Sequence, residues 1–382
     1  MILPKQHQSF REELRRFSLE VVEPGARAAD AEGEFVKANV KAMAERGYLG
    51  IPWPKELGGM GLDYLSYAIA VEEISRVCAS TGITIAAHTS LGTYPIHKFG
   101  TEEQKKKYIP PLARGEYLGS FGLTEPNAGS DAASVETAAK KTDKGFVISG
   151  SKRFITSASF AGTVIVATSQ DRSLGRKGVT CFIVETKTPG FSVASEENKL
   201  GLRGSNTVEL AFDDMLVPAS NVLGKELDGY RIFMETLDGG RISIGAFCLG
   251  MAQGALDTLM EWAGRFRNLP QIAAKTLSDV AMEVEAARLL VYDAAITKDA
   301  GVRADKQCAF AKLYASEAAV RAAGAAISTI GPEATTRDLP VERIYRDAKL
   351  GEIGEGTSEV MRLIIAKEVL KEAKETHSAE TR

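Results

Sequence analysis

Histidine and cysteine are scarce in this chain, four of each among 382 residues. His7, His88, His97 and His377 form no pair at ligand spacing on a helix and no HExxH, which removes the usual histidine-based metal chemistry. Cys78, Cys181, Cys248 and Cys308 lie far apart without a CxxC, so they read as reduced core thiols in a cytosol-like compartment. No charge of one sign dominates either. Forty-seven Lys and Arg face 50 Asp and Glu, a net charge of -3, and no basic field is left over for a nucleic acid backbone. No uninterrupted apolar run approaches the ~20 residues of a membrane span. The opening MILPKQHQSFREELRRF turns polar too early for a signal peptide, so the expected location is cytoplasmic. What is present is ample core material, 44% hydrophobic residues, and chemistry that must come from carboxylates or a bound cofactor.

Periodicity divides the chain in three. Residues 1–117 carry helical spacing, as in Leu14, Phe17 and Val21 and again from Val71 to Val77, broken by Ile51-Pro52-Trp53-Pro54 and Gly58-Gly59-Met60-Gly61. Residues 118–228 change to β-branched runs at 146–148, 164–166, 179–184 and 208–212, separated by turns at 142–145 and 201–204, which predicts a middle antiparallel β domain. Residues 229–382 return to helix, with stripes at Leu277, Val280, Val284, Ala287 and Val291 and at Phe310, Leu313, Glu317 and Val320. The small residues of 245–255 suit closely approaching helices in a four-helix-type bundle, either one that also faces another subunit or, equally, an ordinary tight intrachain bundle. The class is α+β, an N-terminal all-helical domain, a β domain and a C-terminal bundle, with a polar tail at 371–382 expected to fray.

Three stretches could carry chemistry. Phe121-Gly122-Leu123-Thr124-Glu125-Pro126-Asn127-Ala128-Gly129-Ser130-Asp131 offers glycine turns, backbone donors and hydroxyls to an oxygen-rich ligand, and is equally a plain polar turn. Gly150-Ser151-Lys152-Arg153-Phe154-Ile155-Thr156-Ser157-Ala158 alternates an aromatic with hydroxyls, suited to a flat heteroaromatic ring or to an ordinary amphipathic strand. Gly354-Glu355-Gly356-Thr357-Ser358-Glu359 places a carboxylate between two glycines at a junction of helices, where the backbone can adopt positive φ and come close to a ligand. Glu355 is the candidate general base, and Thr357 doubles as an N-cap.

Together with Asp238-Gly239-Gly240-Arg241, these motifs resemble, in order and over the whole chain, the acyl-CoA dehydrogenase family. The resemblance implies an FAD enzyme that oxidises an acyl thioester to its trans-2-enoyl form, with Glu355 taking the α proton and the β hydride passing to flavin N5. The thioester oxygen is then polarised by the Glu355 backbone N–H and a flavin hydroxyl, and burial raises the glutamate's pKa toward working pH. It further implies Phe121, Leu123, Thr124, Ser130, Phe154, Thr156, Thr357 and Glu359 at FAD, and Ser130, Asp238, Arg241 and Gly356 at the substrate, an acyl-CoA or carrier-bound acyl thioester. A homotetramer and an electron-transfer flavoprotein as acceptor follow in the same way.

Departures from the pattern fall on the grip of the ADP half. Arg265-Phe266-Arg267-Asn268-Leu269-Pro270-Gln271 lacks the Arg-x-x-Phe-Gly element, and Ser328 to Thr336 lacks the Gly-Gly-aromatic-Gly turn and brings in Glu333. Phe154 stands where many members carry Trp, and Gly354 where an aromatic is common, which leaves room for a wide or branched acyl group. Two alternatives share these residues: a redox-silent acyl thioester isomerase or lyase, and a half-site subunit of a hetero-oligomer with impaired FAD binding.

Overall fold

The protein is described over residues 3–380 of a computed structural model. Helices α1 (Lys5–Phe17), α2 (Glu23–Glu32), α3 (Lys37–Glu45), α4 (Tyr64–Ser75), α5 (Ala79–Ala87), α6 (Tyr94–Phe99) and α7 (Glu102–Ala113) come first, with π-helical turns at Ser18–Val22 and His88–Thr93. Local chemistry sets their starts. Asp63 caps α4 by accepting from Ser66 N–H, and Thr101 with Gln104 forms a reciprocal capping box at α7.

The middle region is a seven-stranded sheet of β1 (Leu118–Gly122), β2 (Ala138–Thr142), β3 (Gly145–Thr156), β4 (Ala161–Ser169), β5 (Val179–Glu185), β6 (Phe191–Glu196) and β7 (Thr207–Val217). Its order is β1-β4-β2-β3-β7-β6, with β5 paired to β4. The four predicted runs lie in β3, β4, β5 and β7, and the turn at 142–145 closes the β2–β3 hairpin. Antiparallel pairs dominate, with one difference from the sequence reading: β1 runs parallel to β4, and β2 touches β4 in parallel as well. The chain between β1 and β4 passes through the whole β2–β3 hairpin, and such a crossover permits parallel pairing where a short turn would not.

The C-terminal helices are α8 (Gly229–Ala263), α9 (Gln271–Asp299), α10 (Asp305–Ile330), α11 (Val341–Ala348) and α12 (Ser358–Glu380). The segment expected to fray is therefore helical through Glu380, while Thr381 and Arg382 lie outside the described residues. Among the described residues α8 is the one helix apolar and long enough to cross a membrane, which the sequence reading did not anticipate; its hydropathic window is 89% buried inside the protein, the property of a core helix. Glycine and alanine let α8 and α10 pack closely, as expected from residues 245–255.

On α10 the buried face differs from the predicted stripe. Phe310, Leu313, Glu317 and Val320 are only half-buried, and the core side is Cys308, Ala311, Lys312, Ala315, Ala319 and Ala323. Large side chains were read as core, whereas close helix contact selects small ones. The first and last helical segments share one hydrophobic core, from Leu14 and Tyr67 to Phe247 and Ala319. A buried charge network reinforces it. Arg11 of α1 donates to Glu73 (2.7 Å) and Glu72 (2.8 Å) of α4, and Tyr292 of α9 donates to the other Glu72 oxygen (2.5 Å).

Candidate active site

Glu355 sits in the link between α11 and α12, after a 3-10 turn at Lys349–Glu352. Its φ is 54° and that of Gly356 is 102°, two successive left-handed residues of which only the glycine is free of a Cβ penalty. Thr357 then caps α12, its hydroxyl accepting from Val360 N–H at 3.3 Å. This double reversal turns the Glu355 side chain back onto the middle of α8. A Cβ at Gly240 would overlap Glu355 Oε2 and come within 3.1 Å of Leu91 Cδ2, so the carboxyl lies directly over a bare stretch of helix.

Glu355 Oε2 is closed off from solvent and has no hydrogen-bond partner, although the residue as a whole is only half-buried. Burial pushes its pKa up to about 7, against the pull of the Lys312 ammonium and the Arg241 guanidinium. Arg241 is buried and ion-paired with Asp238 three residues earlier, and its Nε is also unpartnered. Burial raises Asp238 as well, with Arg241 opposing. The Lys312 ammonium donates to the Gly356 carbonyl. Glu355, Gly356, Asp238 and Arg241 are thus brought together around α8 and α10, a cluster with an unsatisfied carboxyl at its centre.

The other predicted residues gather on the sheet. Phe121 leaves β1 against Phe233 of α8, ring centroids 4.5 Å apart. Leu123 and Thr124 are pinned to β3: the Leu123 carbonyl accepts from Lys152 Nζ (3.2 Å) and the Thr124 carbonyl from Arg153 N–H (2.8 Å). Beneath them Lys152 Nζ is ion-paired with Glu125 Oε1 at 2.6 Å, both side chains buried, and Glu125 also accepts from Glu136 and Thr137 N–H. Phe154 sits on a bulge, where β3 spends one residue more than β7 between Lys152 and Ile155. The bulge gives it a φ of 59° and turns its ring outward, 57% exposed. Thr156 is tied to β1 through its carbonyl, which accepts from Ser120 Oγ at 2.8 Å.

The π-turn His88–Thr93 joins the two clusters. Leu91 meets the Gly240–Glu355 contact, while Gly92 abuts Gly119 of β1, whose N–H donates to His88 Nδ1 (3.0 Å). Ser130 stands exposed on its loop, and Glu359 on the open side of α12. An outward aromatic face, hydroxyls at Thr124 and Thr156 and the buried unpaired Ser157 Oγ suit a flat, oxygen- and nitrogen-rich ring such as isoalloxazine. Of the two arginines in the departing segment 265–271, Arg265 is engaged, paired with Glu333 at 2.8 Å. Sequence reasoning missed Lys312, Gly240 and Leu91 and the post formed by Glu125 and Lys152. The resemblance of Asp238-Gly239-Gly240-Arg241 points its glycines to the CoA moiety and not to the base, and no pattern marks a lysine among alanines.

Comparison with known proteins settles the family. The chain matches the acyl-CoA dehydrogenase N-terminal domain over residues 4–116, the middle domain over 120–215 and the C-terminal domain over 228–370. The chain belongs to the acyl-CoA dehydrogenase family. It is 44% identical over 375 residues to the short-chain specific acyl-CoA dehydrogenase of Clostridium acetobutylicum, covering 97% of this chain and 99% of that one. The butyryl-CoA dehydrogenase structure from Megasphaera elsdenii aligns with a TM-score of 0.94 and 39% identity over 97% of this chain and 99% of that one. A chain from structural work on the electron transferring flavoprotein of Acidaminococcus fermentans aligns with a TM-score of 0.95 and 40% identity, again over 97% and 99%. This acyl-CoA dehydrogenase is an FAD-dependent oxidoreductase of acyl thioesters, and neither the redox-silent nor the half-site alternative is favoured.

Proposed function

We propose that this acyl-CoA dehydrogenase acts on short-chain acyl-CoA thioesters with Glu355 as the α-proton base. The observation that carries the assignment is the solvent-shielded, unpartnered Glu355 Oε2 resting over Gly240. A carboxylate lacking a partner and raised to about 7 is a competent base near neutral pH. The Glu355 backbone N–H is assigned to the thioester oxygen, which lowers the barrier to losing the α proton. Leu91 packs beside the Gly240–Glu355 contact, and the buried Ser90–Ser243 hydrogen bond (3.0 Å) ties its turn to α8. Asp238, Arg241, Gly356 and Ser130 are assigned to the substrate and its pantetheine arm.

Phe121, Leu123, Thr124, Ser130, Phe154, Thr156, Thr357 and Glu359 are assigned to FAD. When bound, FAD accepts the hydride leaving the β carbon. The preference for short chains rests on the names of the Clostridium and Megasphaera relatives, and the open flank at Gly354 adds tolerance for branching. An electron-transfer flavoprotein is the assigned acceptor. A homotetramer is supported by apolar side chains left open along α9, Met282, Leu289 and Ile296 at intervals of seven, and by Leu363 and Leu370 on α12.

Glu355→Gln is the deciding variant. It should retain FAD at wild-type stoichiometry and lose at least ~10³-fold in anaerobic flavin bleaching by butyryl-CoA, within the range for general-base loss. In the wild type the rate should rise with pH through the Glu355 pKa, since the base must be ionised. Bleaching by the glutamine variant at the wild-type rate overturns the assignment, and a straight and branched acyl-CoA panel reads the chain-length preference.

A further inference from the structure

Lys312 is the least expected side chain in the molecule. It lies in mid-α10 with 0% of its surface exposed, between Ala309, Ala311 and Ala315. An ammonium is strongly hydrated, and removing it from water is unfavourable unless another group compensates. Among the described residues Lys312 takes part in no ion pair within 4.0 Å, and its one hydrogen bond runs to the Gly356 carbonyl. That carbonyl belongs to the second of the two left-handed residues that aim Glu355 at α8, and the first of them is a non-glycine. A conformation disfavoured for a side-chain-bearing residue persists only where its surroundings impose it. Thr357 restrains the far end of the turn through its cap on α12, and Lys312 restrains the peptide between.

We propose that Lys312 is a positioning residue for proton abstraction: its ammonium anchors the Gly356 carbonyl, fixes Glu355 in the left-handed turn over Gly240 and sets a positive charge behind the base. The proposal rests on the reading of Glu355 as that base. Glu355 is faced by Lys312 from α10, by Arg241 and Cys248 from α8 and by Tyr67 from α4, while Glu352 of its own segment acts on Lys312 and is paired with Lys349. Burial holds the Tyr67 phenol and the Cys248 thiol in their neutral forms through neutral pH. The positive charge near the carboxyl thus comes from Lys312 and Arg241, and Arg241 already has Asp238 as its partner.

The test uses FAD-loaded Lys312→Met, Lys312→Gln and Glu355→Gln proteins with butyryl-CoA as the probe. FAD stoichiometry, apparent substrate affinity, the limiting rate of anaerobic flavin bleaching and its pH dependence are measured. Lys312→Met should load FAD, keep affinity within about threefold and lose ~10- to 100-fold in limiting rate, the scale of a misplaced reacting group. Its rising limb should move to higher pH by about one unit, because a nearby cation favours the carboxylate. Lys312→Gln keeps a donor without the charge, so it should recover part of the rate but retain the shifted limb. A methionine variant with wild-type rate and an unmoved limb, while Glu355→Gln is inactive, overturns the proposal and leaves the base in place. Failure of both Lys312 variants to fold or load FAD assigns the lysine to the scaffold and overturns it as well. An active Glu355→Gln instead removes the reading on which the proposal rests.

Discussion

Gly240 shows how much function one absent methyl group can carry. Its neighbours Asp238 and Arg241 were legible only through the family resemblance, as substrate contacts, and which glycine of the doublet Gly239-Gly240 faces the base depends on where a loop more than a hundred residues later folds back. Gly240→Ala puts a Cβ where Glu355 Oε2 lies and against Leu91. Alanine favours helix over glycine by roughly 1 kcal/mol, which offsets much of the ~1–3 kcal/mol cost of overlap, so the variant should stay folded with a stability near that of the wild type. Its bleaching rate should nonetheless fall ~10- to 100-fold, the cost of moving a reacting group by about an ångström. Calorimetry beside stopped-flow reduction checks both halves, and a stable variant with wild-type kinetics would mean that the carboxyl moves freely to its working position. Glu355 itself was readable because glycines flank it. Lys312 was not, because burial of a lysine is decided by packing between α8 and α10 and leaves no periodic mark in either helix.

At the scale of elements, two buried charged contacts fix the loops that surround the site. Glu125 and Lys152 join the β1 loop to β3, and because each buried charge is balanced by the other, removal of either is far worse than loss of both. Lys152→Met should destabilise by ~3–5 kcal/mol and release FAD, whereas pairing it with Glu125→Leu should restore part of the loss in urea unfolding. The second contact joins the α11 carboxyl of Asp347 to Leu202 N–H at 2.5 Å, in the 201–204 turn whose Leu202 φ is 53°. Burial pushes the pKa of Asp347 up to about 7, opposed by the Leu202 hydrogen bond and Arg343. Its folded pKa exceeds the unfolded value of about 4, so its stabilisation is complete in acid and fades as pH rises toward 7. Glu355 shifts in the same direction. The urea midpoint should therefore decline between pH 5 and 8 by about as much as Asp347→Asn and Glu355→Gln together remove; a slope unchanged in the double variant contradicts this. The strands and turns of this region were legible because β-branched runs and Gly-bearing turns are local signals. The parallel β1–β4 pairing was not, since it arises from a crossover whose closure only the assembled sheet fixes.

Across the whole molecule, the three-part helix–sheet–helix order was plain in the periodicities, but the sharing of one core by both helical segments was not. Contacts such as Arg11 with Glu72 and Glu73 span about sixty residues and follow no spacing rule. The same long-range logic bears on cofactor affinity. The two segments that depart from the family pattern, at 265–271 and 328–336, meet in space through the Arg265–Glu333 ion pair. Both side chains are about half exposed, so the pair contributes little to stability and is easily exchanged for another anion. In the proposed tetramer we assign this arginine, rather than Arg267, to the pyrophosphate of a neighbouring subunit's FAD, with Glu333 competing for it. Glu333→Gln should accordingly tighten FAD binding by ~3- to 10-fold in fluorescence titration of the deflavinated protein, the scale of a freed charged contact at a solvent-exposed site. Arg265→Gln should weaken it, and rising salt should narrow the difference between wild type and Glu333→Gln by screening the pair. Weaker binding in Glu333→Gln would show instead that the glutamate orients Arg265 for the phosphates, and unchanged binding in both variants would place the ADP half away from this pair altogether.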